Sequence, residues 1–197
     1  MHLRSHSETE MELISELIYK TRRRFFLEIG TFQFELTTYF LSLLKDSTKD
    51  EVQVVCVDIK DAYPAKRQLL EMLCPKRFVF IQGDSTDDNT VQRVKSRKPP
   101  YFDIVFIDGN HKYEIVKQDT ENYAGMVGKK GYIMWHDATS RISQYIKDLQ
   151  TIGIPLKKLE SSRGGIAYIY GEDWLHYQKL LPNLDKLLEQ TKEIRRR

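Results

Sequence analysis

The chain has 197 residues, with Lys+Arg 31 against Asp+Glu 28 and a formal net charge of +3. Its 41% hydrophobic and 30% charged content belongs to a globular domain of ordinary size, not to a disordered tail. So even a charge balance makes no electrostatic case for nucleic acid, and no apolar run approaches the ~20 residues of a membrane span.

The opening residues Met1-His2-Leu3-Arg4-Ser5-His6-Ser7-Glu8 carry no apolar segment behind the basic residue, so no secretory leader is expected. Cys56 and Cys74 are too few for a disulfide framework, and a reduced, cytoplasmic chain is expected. Ser7-x-x-Glu10 is a capping box, followed by Met11, Ile14, Leu17 and Ile18 at helical spacing, which predicts a first helix over residues 8–20. Arg22-Arg23-Arg24 then sits where cations complement a helix dipole. Phe25 to Ile29 is a short apolar strand stopped by Gly30. Helical pattern returns over 34–44, and a β-branched run over 52–57 ends at Asp58. Residues 62–73 are helical up to Pro75, and Phe78 to Ile81 form a third strand followed by Gly83-Asp84-Ser85. A polar helix over 87–98 is stopped by Pro99-Pro100. A fourth strand, 104–107, runs into Asp108-Gly109. A helix over 113–127, a strand over 131–135 and a helix over 139–150 follow. Two strands, 154–159 and 166–170, flank Ser161-Ser162-Arg163-Gly164-Gly165, a hairpin signal. From Glu172 the chain is helical, interrupted at Pro182, with Arg195-Arg196-Arg197 as a solvated basic tail.

Strands alternating with helices imply an α/β fold: a Rossmann-like, doubly wound, mostly parallel sheet with an antiparallel edge hairpin and helices on both faces. The 197 residues read as a single domain, with a helical extension over 1–24, a core over 25–170 and a helical segment over 171–197. Ligands of such sheets bind beyond the carboxyl ends of the strands. Those ends read Glu28-Ile29-Gly30-Thr31, Asp58, Gly83-Asp84-Ser85, Asp108-Gly109-Asn110-His111 and His136-Asp137. Five polar or acidic ends along one edge exceed what turn chemistry alone asks for.

These segments resemble class I S-adenosylmethionine-dependent methyltransferases, and residues 102–114 and 131–137 are similar to the branch with small-molecule and macrolide-sugar O-methyltransferases. The resemblance implies S-adenosylmethionine as cofactor, with Glu28, Gly30 and Thr31 in the first motif. Asp58 would grip the ribose hydroxyls as a strand-end carboxylate without a packing role. Asp84 and Ser85 would lie beside the adenine, with Asp108 also in the cofactor site. It places a divalent cation, magnesium or manganese, on Asp108 and Asp137, with His136 either a further ligand or a residue that packs or donates a hydrogen bond beside the ion. His111 takes the position of the general base, where an ordinary pKa near ~6.5 suits neutral pH. The expected acceptor is a small hydroxylated molecule such as a sugar. The first motif departs from the family at Phe34, where a glycine is usual, so Phe34 either narrows the cofactor pocket or packs between helix and sheet.

Alternatives follow from the same residues. A nicotinamide enzyme is excluded because the first turn has only Gly30 of the G-x-G-x-x-G pattern. Pro99-Pro100-Tyr101 precedes its strand and is a helix stop, which removes the main support for methylation of base nitrogens. A methyltransferase fold without turnover, acting as a binding or regulatory protein, would be signalled by Phe34. A nucleic-acid methyltransferase would use the arginine clusters. The first helix and the segment around Trp174, Leu175 and Tyr177 are expected to cover the substrate mouth or to form a homodimer.

Overall fold

A computed structural model describes residues 6–21, 24–43, 53–97 and 101–196. The Arg22-Arg23 pair, the Pro99-Pro100 stop and Arg197 lie outside the described residues. The strands are β1 (Phe25–Ile29), β2 (Gln53–Asp58), β3 (Phe78–Gln82), β4 (Phe102–Ile107), β5 (Val127–His136), β6 (Lys157–Leu159) and β7 (Ile166–Tyr170). The helices are α1 (Glu8–Thr21), α2 (Glu35–Leu43), α3 (Pro64–Leu73), α4 (Asp88–Lys95), α5 (Tyr113–Tyr123), α6 (Ser143–Thr151), α7 (Gly171–Tyr177) and α8 (Leu184–Arg196).

The strands form one sheet in the order β3-β2-β1-β4-β5-β7-β6. β1 to β5 pair in parallel, and β7 lies antiparallel between β5 and β6. The expected doubly wound sheet with an antiparallel edge is therefore the fold. Chain direction out of the sheet switches between β1 and β4, which opens a crevice at their carboxyl ends.

Alternation along the strands sorts the core into two layers. Phe26, Val54, Cys56, Ile104, Phe106 and Met134 face α1, α2 and α3, whereas Leu27, Val55, Val57, Val105, Ile107, Ile133 and Trp135 face α4, α5, α6 and the C-terminal helices. The differences from the sequence reading lie at element ends. The helix expected to reach residue 127 stops at Tyr123, Ala124–Met126 tighten into a 3₁₀ turn, and β5 starts at Val127. A register shift against β4 between Phe102 and Ile104 absorbs the additional residues. The sixth helix starts at Ser143, not at residue 139, and the freed turn carries Ser140 and Arg141 to the cleft.

Candidate active site

A cleft of about 870 Å³ runs along the carboxyl ends of β1 to β5. Gly30, at φ +85, lies so close to β4 that a Cβ there would meet the Asp108 carbonyl oxygen at 2.3 Å, so only glycine fits. Past it, Phe32 and Phe34 both take left-handed backbone, φ 40 and 54. Asp58 stabilises this turn: its Oδ2 accepts from the backbone N–H of Thr31 and of Phe32, each at 2.9 Å, and its Oδ1 from Lys60 N–H at 3.1 Å. This corrects the expectation of a carboxylate without a packing role. Asp58 faces the cleft, but three of its roughly four acceptor positions are already engaged.

Phe34 is fully buried, edge-on to Phe78 at 5.9 Å and to Phe80 at 5.3 Å, so it packs between helix and sheet and does not narrow the cleft. Phe32 is the exposed one, at 61%, and it lines the cleft edge-on to Tyr63 at 5.7 Å. Sequence reading missed Phe32; its only signal was a second phenylalanine two residues before Phe34.

Glu28 does not line the cleft. It shares strand parity with Phe26 and so turns toward α2, where Thr37 Oγ1 donates to its Oε2 and Cys56 Sγ lies 3.7 Å away. Burial pushes its pKa up to about 8. Thr31 is likewise buried behind the turn, at 5% exposure, and is absent from the cleft wall. At the end of β3, Asp84 and Ser85 do line the cleft. Asp84 Oδ1 accepts from Thr86 N–H at 2.9 Å, and the Ser85 carbonyl accepts from Tyr123 Oη at 2.8 Å, which fixes that loop onto α5.

At the other end of the cleft, carboxylates and imidazoles alternate. Asp108 stands at the centre: His136 Nδ1 is 3.1 Å from its Oδ1, His111 Nε2 is 3.5 Å from Oδ1, and His6 Nε2 is 3.8 Å from Oδ2. His111 Nε2 also lies 2.8 Å from Asp137 Oδ2, and His136 Nε2 lies 3.5 Å from Glu10 Oε2. Burial alone would raise the Asp108 pKa, but His111 and His136 outweigh it and hold the carboxyl below its ordinary range. Hydrogen bonding to Asp108, then to Asp137, pushes His111 up to about 9. In the fold His111 thus departs upward from the ordinary imidazole value of 6.5.

His136 also departs from expectation. It shares parity with Met134 and so faces α1, away from Asp137, and joins His6 and Asp108. Asp137 follows at φ +56, a left-handed turn that swings its carboxylate back into the cleft. Ser140 Oγ donates to Asp137 Oδ1 at 3.0 Å. Gly164 approaches that oxygen so closely that a Cβ would meet it at 2.0 Å. Among the described residues, the trio with Asp137 that could hold a cation is thus Asp108, His111 and Asp137, whose ligand atoms all lie within 4.8 Å of one another.

Two further residues escaped the sequence reading. Glu10, legible only as a capping-box residue, accepts from Ser7 N–H at 2.7 Å and reaches Ser161 and the Gly165 N–H (3.1 Å) across the sheet. Burial opposes its charge, but His136, Ser161 and Ser7 hold its pKa down to about 2. His6, 6% exposed, packs its ring 4.6 Å from that of His136. α1 therefore reaches the site, whereas Trp174 is buried against Trp135 and the C-terminal segment does not cover the cleft. Trp135 itself is core, its Nε1 donating to Thr120 Oγ1 at 2.9 Å.

A family model described as "Methyltransferase domain" matches residues 27–138, more than half of the chain. No curated protein matches the sequence. Among solved structures, the chain is similar to a protein assigned as a caffeoyl-CoA O-methyltransferase from Staphylococcus aureus, with 18% identity and TM-score 0.66 over 83% of each chain. It is similar to an O-methyltransferase from Bacillus cereus in complex with SAH, with 17% identity and TM-score 0.63 over 86% of this chain and 84% of that one. The MycE methyltransferase of the mycinamycin pathway, in complex with Mg and SAH, shares 19% identity at TM-score 0.57 over 86% of this chain, which spans only 50% of MycE. At these identities the likeness establishes the fold.

Proposed function

This chain belongs to the methyltransferase-domain family, and on that premise we propose that it methylates a hydroxyl of a small acceptor, such as a sugar or natural product, using S-adenosylmethionine and a divalent cation. The observation that carries the reading is the cleft, whose wall joins a glycine cradle at Gly30 to the Asp108–His111–Asp137 cluster. The residues fit the cofactor: Gly30 lets the first turn pack against β4 and line the cleft, Asp58 keeps an acceptor position on Oδ1, and Asp84 and Ser85 close the far end. They also fit a cation, since two carboxylates and an imidazole are a donor set for manganese, iron or zinc, and less selectively for magnesium. The similar structures that hold SAH, and in MycE also Mg, support the same assignment.

S-adenosylmethionine supplies an electrophilic methyl group on a sulfonium. Asp108 and Asp137 would hold the divalent cation, whose chemistry there would be to lower the pKa of an acceptor hydroxyl and orient it. The chain's own part is placement and proton control. His111 Nε2 lies between the two carboxylates, 3.5 Å from Asp108 Oδ1 and 2.8 Å from Asp137 Oδ2, where it would hold a proton until an ion took the carboxylates. The neutral imidazole left behind can ligate or accept the acceptor's proton at Nε2. Arg141, 67% exposed along its side chain with Nε 3.8 Å from Asp137 Oδ2, borders the open side where an acceptor enters.

Calorimetry with S-adenosylmethionine and its demethylated product, with and without manganese, tests the reading. Binding of both, with a rise in melting temperature, is the expected result. No heat and no thermal shift at millimolar cofactor would overturn it.

A further inference from the structure

Asp108 presents a second donor set on the side facing α1. There His6 comes from the residues leading into α1, His136 from the end of β5, and Glu10 from the first turn of α1. We propose that His6, Asp108 and His136 bind a transition-metal ion of the zinc, cobalt or iron(II) class, with Glu10 as the outer carboxylate that orients His136. The inference stands apart from the methyl-transfer reading and shares only Asp108 with the cluster assigned there.

Convergence is the first support. One ligand atom each from His6, Asp108 and His136 lies within 4.8 Å of the others, with His136 Nδ1 3.1 Å from Asp108 Oδ1 and His6 Nε2 3.8 Å from Asp108 Oδ2. Two imidazoles and one carboxylate form a borderline donor set, unlike the oxygen-rich sets that magnesium and calcium favour. Burial is the second support: His6 is 6% and His136 5% exposed, so water competes poorly for the ligands.

The arrangement around His136 is the third support. A metal-bound histidine usually turns its other nitrogen to a carboxylate, which fixes the ring and raises its basicity. His136 points Nδ1 at Asp108 and Nε2 at Glu10 Oε2, 3.5 Å away. Glu10 is itself held by Ser7, Ser161 and the Gly165 N–H. His6 completes the set, a buried imidazole facing both the Asp108 carboxylate and the His136 ring.

The test is cobalt(II) titration of the metal-free full chain, read by visible d–d absorption, with zinc calorimetry alongside. The expected result is a band from nitrogen-ligated cobalt in the wild-type chain and in Asp137→Asn, where the cluster assigned above is impaired, and its loss when His6→Asn is added to Asp137→Asn. Glu10→Gln should keep the band with affinity lowered about 10–100-fold, as for other outer-shell partners. Melting curves without metal establish that each variant is folded. Should His6→Asn not fold, zinc-induced shifts of the wild-type histidine side-chain nitrogens give the same answer: His6 and His136 move. Absence of a wild-type band, a band unchanged when His6→Asn is added to Asp137→Asn, loss of the band in Asp137→Asn alone, or nitrogen shifts confined to His111 would each overturn the site. Cofactor binding, measured separately, is untouched by any of these outcomes.

Discussion

Replacing Glu28 with Gln isolates the contribution of a buried carboxyl to the pH dependence of stability. Glu28 is 3% exposed, hydrogen-bonded by Thr37 and close to Cys56. Burial raises its pKa from 4.5 to about 8, so the folded chain keeps a proton that the unfolded chain releases. Between those pH values the folded state binds more protons, and stability therefore falls as pH rises from 4.5 to about 8 and levels off above. At about 1.4 kcal/mol per pH unit the full window corresponds to about 5 kcal/mol, an upper bound that water penetration and relaxation reduce to a few kcal/mol. His111 and His136, with pKa values raised from 6.5 to about 9 and about 10, lose their own stabilisation as pH rises from 6.5 through those values, which overlaps this window. The comparison is therefore made between chains: urea unfolding of wild type and Glu28→Gln at a series of pH values from 5 to about 9. The expected outcome is a variant that gains on wild type by about 2–4 kcal/mol across that range. Parallel stability curves would refute the reasoning, since they would mean that Glu28 ionises in the fold as it does in the unfolded chain.

Asp58→Ala should lose about 1–3 kcal/mol in urea unfolding as well as cofactor affinity, because the N–H groups of Thr31, Phe32 and Lys60 lose their acceptor. Phe34→Gly should relieve a left-handed backbone but cost about 2–4 kcal/mol net by emptying an aromatic core position, with no gain in cofactor affinity by calorimetry. Asp137→Asn should lower methyl transfer far more than it lowers melting temperature, and chelator should lower wild-type activity toward that of the variant. Activity that is unaffected by excess chelator would count against the cation on Asp108, His111 and Asp137.

The fold was legible because its signals are local. Short β-branched runs, each halted by Asp or Gly and separated by helical periodicity, need no long-range information to read as a parallel sheet with a crevice at one edge. Element ends were less legible where backbone, not hydropathy, decides. The start of β5 at Val127 depends on a register shift against β4, and the turn over residues 139–142 depends on the φ of Asp137. The same limit applies to Phe32 and Phe34, alike in composition and opposite in exposure because both lie in a left-handed turn held by Asp58.

Strand alternation, used once more, separates what sequence could have told about the site from what it could not. Counting parity back from Asp108 and His136 through Phe106 and Met134 places both on the face that holds α1, and the same count turns Glu28 inward with Phe26. That step needed no coordinates, and it argues against grouping His136 with Asp137, which leaves the strand through a left-handed residue. No pattern near residue 136, by contrast, indicates that Glu10 and His6 come to meet it. Those contacts join residues well over a hundred positions apart, and Glu10 was already accounted for as the partner of Ser7. A carboxylate used both to cap a helix and to hold a strand-end histidine keeps its first role visible in sequence and hides its second. The alternating series from Glu10 through His136, Asp108 and His111 to Asp137 is thus assembled only when the first turn of α1 docks on the sheet.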